Sequence, residues 1–391
     1  MFRTTFIAIT GSVGKTTTTH CLGEILSAHY PTNWTPGGQN GRTHLALNVL
    51  RTRFHHRYTV IEVGTRLPGA LRRAAWMIAP DIAVVLTVRG VHTNAFRTLE
   101  EIAAEKEQLL SRSGKRGVAI LNADDALVRD MGTRCQGQVR TFGSAEDSWL
   151  RGTQISSVWP RRLGFQAHHG SESCRVETQL VGEHMAVCAL AALAVAVFCG
   201  VPLRKAAAAL GAVPPVRGRM QPMILPHGVT VLRDEFNPSL PSLESGLNVM
   251  RSAEAARRIV VVGDVLDSQP IVRPRMRDLG RRVAASADMG VFIGTVSKVA
   301  AKAATEAGLK QAFACRNLRE ASAFLERELR AGDLVFVQGW VAHHIERAIL
   351  AQTGTIACWV ERCNKIMPCE HCAELKLVPF PANESAPAKP L

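Results

Sequence analysis

Apolar and polar positions alternate along the first 150 residues in a repeating order of strand and helix. Short apolar runs at 6–9, 58–63, 82–88, 118–121 and 139–142 read as buried strands. Helical spacing lies between them. It is clearest at 98–112, where Thr98 and Glu101 form a capping signal ahead of Leu99, Ile102, Ala103, Leu109 and Leu110. This alternation predicts a parallel sheet with helices on both faces and a ligand site at the carboxyl ends of the strands. The period changes over 150–180, where short segments at 155–159, 164–167 and 174–178 predict a small antiparallel excursion. Residues 182–200 and 202–210 read as two Ala-rich helices. The strand and helix alternation resumes with strands at 229–232, 259–262, 289–293 and 334–337. Helices are predicted at 240–251, 274–285, 297–307, 318–330 and 342–350. The rigid stretch from Pro214 to Arg219 marks the boundary between the two α/β domains. The expected division is 1–215, 216–352 and a Cys-rich tail, 353–391, whose Pro- and Ala-rich end is expected to be disordered.

Composition narrows the class. With 391 residues and 47% apolar residues, the chain can bury two substantial cores. The longest apolar stretch, 187–201, is too short and too rich in Ala for a membrane span and reads as a buried helix. With no leader pattern at the start, a cytoplasmic protein is expected. The formal charge of +14 fits anionic partners such as nucleotide phosphates. Lys and Arg are scattered and aromatics make up only 5%, which argues against nucleic acid as the partner. Ten Cys in such a chain point to reduced thiols or a metal rather than a disulfide framework.

The first strand runs into Thr10-Gly11-Ser12-Val13-Gly14-Lys15-Thr16-Thr17, with a helix predicted at 20–28. Strand, Gly-rich turn, Lys-Thr and helix together form a phosphate cradle. The glycines let backbone N–H groups approach phosphate oxygens, Lys15 reaches the outer phosphates, and the Thr16 hydroxyl is placed for Mg²⁺. The longer form of the loop has a Gly five positions before Gly14. Ile9 stands there, so the match is to a shorter G-x-x-G-K-T-T form.

Other polar residues fall at strand ends. Glu62 closes an apolar strand and needs a partner, for which a metal or a cap would each serve. His92 lies just past another strand, and Asn122 and Asp124 end a third, either as a cap or as nucleotide contacts. Residues 37–42 form a polar Gly-rich loop. Lys106 falls near the apolar face of its helix, where lysines commonly snorkel. Asp234 and Asn237 follow the first strand of the second domain. In the tail, Cys358, Cys363, Cys369 and Cys372 are spaced C-x4-C-x5-C-x2-C, a candidate tetrahedral Zn²⁺ site or a set of reduced thiols on a protein-docking extension.

Taken in order, these residues resemble the Mur ligase family of ATP-dependent amino acid ligases, over about residues 5–350. Within it, the similarity is greatest to members that add D-alanyl-D-alanine. The resemblance implies a central P-loop ATPase domain and a C-terminal Rossmann-like α/β domain. It matches the phosphate loop to 10–17 and the Asn/Gly-rich loop to 37–42. It assigns Glu62 and His92 to magnesium and makes Lys106 the carbamate-bearing lysine. Asn122, Asp124, Asp234 and Asn237 fall to the nucleotide, and Arg219 in the Gly218-Arg219 linker to the transferring phosphoryl group. The implied chemistry is carboxylate activation by ATP, attack of an amine on an acyl phosphate, and release of ADP and phosphate. Thr16 and Glu62 would hold one Mg²⁺, and His92 and Lys106 a second.

Departures from the family pattern qualify this. The phosphate loop begins within ten residues of Met1, so the UDP-sugar domain of the muramoyl-peptide ligases is expected to be missing. The family's His-Asn-x-x-Asn reads His184-Met185-Ala186-Val187-Cys188, and its Lys-Gly-Ser reads Gln338-Gly339-Trp340. Two alternatives therefore stand beside the ligase. One is a P-loop ATPase or nucleotide-dependent binding protein without ligation; the other is a nucleic-acid-associated NTPase.

Overall fold

A computed structural model describes residues 4–64, 67–90, 95–112, 114, 116–236, 238–263, 273–365 and 367–381. The chain divides into two compact units, Met1–Ser157 with Arg161–Val216, and Val158–Pro160 with Arg217–Leu391.

The first unit opens with β1 (Thr5–Thr10), α1 (Lys15–Ser27), β2 (Thr32–Trp34), α2 (Arg42–Arg51), β3 (Tyr58–Glu62), α3 (Ala70–Ile78) and β4 (Ile82–Val85). It continues with α4 (Leu99–Glu107), β5 (Val118–Asn122), α5 (Ala126–Met131) and β6 (Gln138–Gly143). The antiparallel strands β7 (Leu150–Ser156), β8 (Gly164–His169) and β9 (Glu172–Glu177) lead to α6 (Ala186–Phe198) and α7 (Leu203–Ala212). All nine strands form one sheet, ordered β2-β3-β1-β4-β5-β6-β7-β8-β9. The expected parallel sheet is therefore mixed. The antiparallel excursion continues the sheet through a parallel β6–β7 contact at Phe142 and Gly143. In β1, Ala8 joins a cluster with Ile61, Leu71 and Ala75, while its neighbours Ile7 and Ile9, also fully buried, face the opposite side. That two-sided burial explains the unbroken apolar runs of the central strands. Helix α1 packs against α6, where every residue from Ala186 to Ala196 except Val187 is buried. Helix α1 starts at Lys15, five residues before the pattern suggested.

The second unit contains β10 (Gln221–Ile224), β11 (Thr230–Arg233), α8 (Leu240–Ser252), β12 (Arg257–Val262), α9 (Arg273–Ala284) and β13 (Met289–Ile293). It continues with α10 (Ser297–Glu306), β14 (Gln311–Cys315), α11 (Leu318–Glu328), β15 (Asp333–Gln338) and α12 (Glu346–Leu350). The strand order is β10-β11-β15-β12-β13-β14, parallel throughout except for β10. Up to Phe380 the tail is ordered as part of this unit. Its β16 (Gly354–Thr355) and β17 (Val378–Pro379) pair, and Cys369 and Leu375 pack on Leu350. Residues 382–391 lie outside the described residues. No helix among the described residues is long and apolar enough to cross a membrane.

Candidate active site

In the first unit, β1 delivers the chain to the turn at Gly11–Gly14, and α1 begins immediately after it. Gly14 adopts φ +85°, a left-handed conformation that suits glycine. A Cβ there would lie 2.9 Å from Cys188 Sγ on α6, and one on Gly11 would lie 2.8 Å from Leu86 Cβ. The loop thus has room for neither side chain. Ser12 clamps it from below: its Oγ donates to the Arg89 carbonyl (3.0 Å) and accepts from the Arg89 N–H (2.9 Å). Lys15 Nζ lies back across the turn, 2.7 Å from the Gly11 carbonyl and 3.3 Å from that of Ser12. Thr16 and Thr17 are buried in the first turn of α1, and the Thr18 hydroxyl donates to the Gly14 carbonyl at 3.0 Å. Val13 N–H reaches the Thr87 hydroxyl at 3.4 Å.

Glu62, at the end of β3, is 1% exposed. Its Oε1 accepts from Asn40 Nδ2 (2.6 Å), and its backbone N–H donates to Thr35 Oγ1 (3.1 Å). Its Oε2 is buried with no hydrogen-bond partner among the described residues. An ionised oxygen in that state is costly unless a cation faces it. Asn40 belongs to the polar 37–42 loop, whose role the sequence left open. Gly64 makes room for it, since a Cβ at Gly64 would sit 2.7 Å from Asn40 Cγ.

Lys106, on α4, is 2% exposed. Burial, then the nearby Lys15 charge, pushes its amine down to about 7, against the opposing pull of Glu105. A snorkelling lysine would keep its amine in water; this one does not. Glu105 accepts from the Gly69 and Leu71 N–H groups (2.7 and 2.8 Å), fixing α4 to the start of α3.

Asn122 Nδ2 donates to the Leu86 carbonyl (2.8 Å) and its Oδ1 accepts from Asp124 N–H (3.0 Å). Asp124 accepts from the Ser144 N–H and hydroxyl and from the Ala145 N–H. Asn122 thus ties the end of β5 to the segment after β4, and Asp124 ties it to the segment after β6. Neighbouring Asp125 caps α5 through Val128 N–H and accepts from Val88 N–H and Arg89 Nη1. Burial pushes His184 down to about 4, so its imidazole is neutral. His92 and Asn237 lie outside the described residues.

In the second unit, Asp234 is fully enclosed after β11. It accepts from Met220 N–H (3.1 Å) and Gln338 Nε2 (2.7 Å). Burial pushes its carboxyl up to about 7, with the Arg219 charge opposing. Arg219 stacks over Phe236, 5.2 Å from the ring centre, and its Nε is buried without a partner. Gln338, where the family pattern has lysine, is therefore committed to Asp234 and to the Ser242 hydroxyl (3.1 Å).

The four tail cysteines do not form one ligand set. Cys358 accepts from Arg347 (3.6 Å) and Cys372 from Lys365 (3.7 Å), while Cys363 hydrogen-bonds through its backbone to Ala342. Among the described residues, only Cys369 joins a cluster of potential ligand atoms, with His344 and Glu346. The expected four-Cys site is corrected accordingly: the group of potential ligand atoms at Cys369 is completed by His344 and Glu346 from α12 and its approach.

The family model of the Mur ligase middle domain matches residues 9–196, and that of the Mur ligase, glutamate ligase domain matches 218–340. The UDP-N-acetylmuramoyl-tripeptide–D-alanyl-D-alanine ligase of Mycobacterium tuberculosis (strain ATCC 25618 / H37Rv) is 30% identical, with 85% of this chain and 70% of the relative covered. The protein of the same name from Escherichia coli (strain K12) is 28% identical, with 67% and 58% covered. A crystal structure of MurF from Acinetobacter baumannii superposes with a TM-score of 0.78 at 26% identity, covering 86% of this chain and 74% of that one. The MurF ligase of Thermotoga maritima in complex with ADP shares the fold, with a TM-score of 0.75 at 22% identity, covering 89% and 79%.

Proposed function

Because the chain belongs to the Mur ligase family, and is thereby an ATP-dependent, ADP-forming ligase that makes amide bonds, we propose that it joins D-alanyl-D-alanine to a peptide carboxylate, as the names of its relatives describe for them. The observation that carries the site assignment is Glu62 Oε2, buried without a hydrogen-bond partner among the described residues of the unit that holds the phosphate loop. Its position at a strand end, with Thr16 in the first turn of α1, fits a hard cation with oxygen ligands. We assign Mg²⁺ to Thr16 and Glu62, and a second Mg²⁺ to His92 and Lys106. When bound, magnesium neutralises phosphate charge and draws electron density from the phosphorus under attack.

The chain's own residues do the rest in this reading. The N–H groups at the start of α1, from Gly14 to Thr16, receive the β- and γ-phosphate oxygens, aided by the positive end of that helix, while the Ser12 and Val13 N–H groups anchor the turn to Thr87. Lys15 exchanges the Gly11 and Ser12 carbonyls for those oxygens. Ser12, held on both sides by Arg89, keeps the loop in that form. Lys106, with its amine near 7, is about half neutral at pH 7 and increasingly neutral above it. It can add to CO₂ and lose a proton, which turns a cation into an oxygen ligand. Asn40 orients Glu62 so that Oε2 faces the cation.

The test is a product analysis. With ATP, Mg²⁺, muramoyl tripeptide or shorter peptide acids, and D-alanyl-D-alanine, mass spectrometry should show the amide, and ADP and phosphate should appear only with both partners present. Release of AMP would overturn the acyl-phosphate route. ADP release that ignores the acceptor would instead support an ATPase without ligation, the reading favoured by Met185 and Cys188 in place of the family's asparagines.

A further inference from the structure

Outside the ATP site, the second unit buries three potential metal ligands of different chemistry. His344, Glu346 and Cys369 are 3%, 6% and 7% exposed, and one donor atom from each lies within 4.8 Å of the others. Two come from the approach to α12 and its first residue, and the third from the tail.

The hydrogen bonds around His344 bring an oxygen to each ring nitrogen. Its Nε2 lies 2.9 Å from the Lys365 carbonyl, which can only accept, so Nε2 carries a hydrogen. Its Nδ1 lies 2.8 Å from Glu346 Oε1, which in its ionised form also only accepts. Either a second proton sits on the ring, or the Nδ1 lone pair and the carboxylate share a metal. An imidazole whose far N–H donates to a backbone carbonyl is the usual supporting arrangement for a metal-bound histidine. Buried arginines close by are committed elsewhere, Arg233 to Glu235 and Glu370. Arg347 directs its donors to the carbonyls of His343 and His344 and to Cys358 Sγ.

A second observation points the same way. His344 and Glu346 line a pocket with Arg233 and Glu235, where Glu235 Oε1 accepts from Arg233 and its Oε2 is buried without a partner among the described residues.

We propose that His344 Nδ1, Glu346 Oε1 and Cys369 Sγ bind one Zn²⁺, stapling the C-terminal tail to the second unit. A mixed nitrogen, sulfur and carboxylate set selects zinc over magnesium or calcium, and three protein ligands leave one position open. The consequence extends one residue further. Glu370 forms ion pairs with Arg217 and Arg233, and Arg217 precedes Gly218. Loading the metal thus fixes the side chain that holds the arginine beside the Gly218-Arg219 linker.

The experiment is metal analysis of the full chain, purified without added metal or chelator, followed by replacement with Co²⁺. The expected result is about one zinc per chain, and a cobalt form with a thiolate-to-cobalt charge-transfer band of single-thiolate intensity. Cys369→Ser should abolish that band and weaken zinc binding at least tenfold, while Cys363→Ser and Cys372→Ser keep both. Far-UV circular dichroism of each variant checks folding, and the wild-type cobalt spectrum reports the ligand set without any variant. Absence of zinc with no cobalt band from the folded wild type would overturn the proposal. So would a band of several-thiolate intensity, or one that survives Cys369→Ser.

Discussion

Cys188 on α6 donates its thiol hydrogen to the Gly14 carbonyl across 3.5 Å, bracing the phosphate loop from a helix more than 170 residues away in the chain. The same contact leaves no room for a side chain at Gly14. Gly14→Ala combines a left-handed φ with a 2.9 Å clash, and the strain is about 1–2 kcal/mol before any repacking. ATP affinity by calorimetry should fall roughly tenfold or more. Gly14→Ala with Cys188→Ala should recover part of the loss, because the clash is gone while the φ strain stays. Equal affinities for the single and double variants would show that Cys188 does not brace the loop.

Glu62→Gln keeps the shape of the side chain and removes its charge. Its Asn40 contact can persist, since Gln Oε1 still accepts. The expected loss in kcat/KM is on the order of 100-fold, with a rise in the Mg²⁺ concentration needed for half-maximal rate. Asn40→Ala should give a smaller effect of the same kind. If Glu62→Gln lowers the rate without moving the Mg²⁺ requirement, the carboxylate does not serve the metal.

Lys106 sets a pH dependence whose sign is fixed by its environment. Its amine is lowered to about 7, so the neutral form, and with it the carbamate, disappears as pH falls below that value. Ligase activity should therefore drop from pH 7.5 to 6, and added bicarbonate should restore part of it. Lys106→Arg keeps a cation but cannot form the carbamate, and should be as inactive as Lys106→Ala. Retention of turnover by either variant would remove Lys106 from the site.

Asp234 acts on stability instead. Its carboxyl is raised from 3.8 to about 7 in the folded chain, so the native state holds the proton more tightly than the unfolded one. That contribution is complete below about pH 4 and is lost as pH rises through 7, an effect on the order of a few kcal/mol. Asp234→Asn should gain thermal stability relative to the wild type between pH 5 and pH 8. A constant difference in Tm across that range would contradict the raised carboxyl.

What the sequence disclosed follows from burial. In β1, β3, β4 and β5 of the first sheet and β11, β12, β13 and β15 of the second, apolar runs stand out because both faces are covered. In these two sheets, β2, β10 and β14, which lie at the edges, escaped the pattern. Thr32–Trp34 is half-buried, Gln221–Ile224 contains Pro222, and Gln311–Cys315 alternates with exposed positions, so none shows a continuous run. At the site, Lys15, Thr16 and Glu62 were visible because their neighbours in sequence are their neighbours in space. Asn40 and Cys188 were not assigned roles, because their partners, Glu62 and Gly14, are 22 and 174 positions away. The Cys spacing misled for the same reason. Cys369 lies closest to His344 and Glu346, residues outside the tail, rather than to the thiols that flank it.

The packing of α1 on α6 also orders events during synthesis. The phosphate loop leaves the ribosome well before the helix that covers α1, which ends at Phe198. Until residue 198 has been made, α1 can rest on β1, β2 and β3 but its α6-facing side is uncovered. At typical elongation rates that interval lasts on the order of 10 s or more. The nucleotide site is thus made well before it closes. Chaperone demand during expression should fall on nascent chains that end short of residue 198.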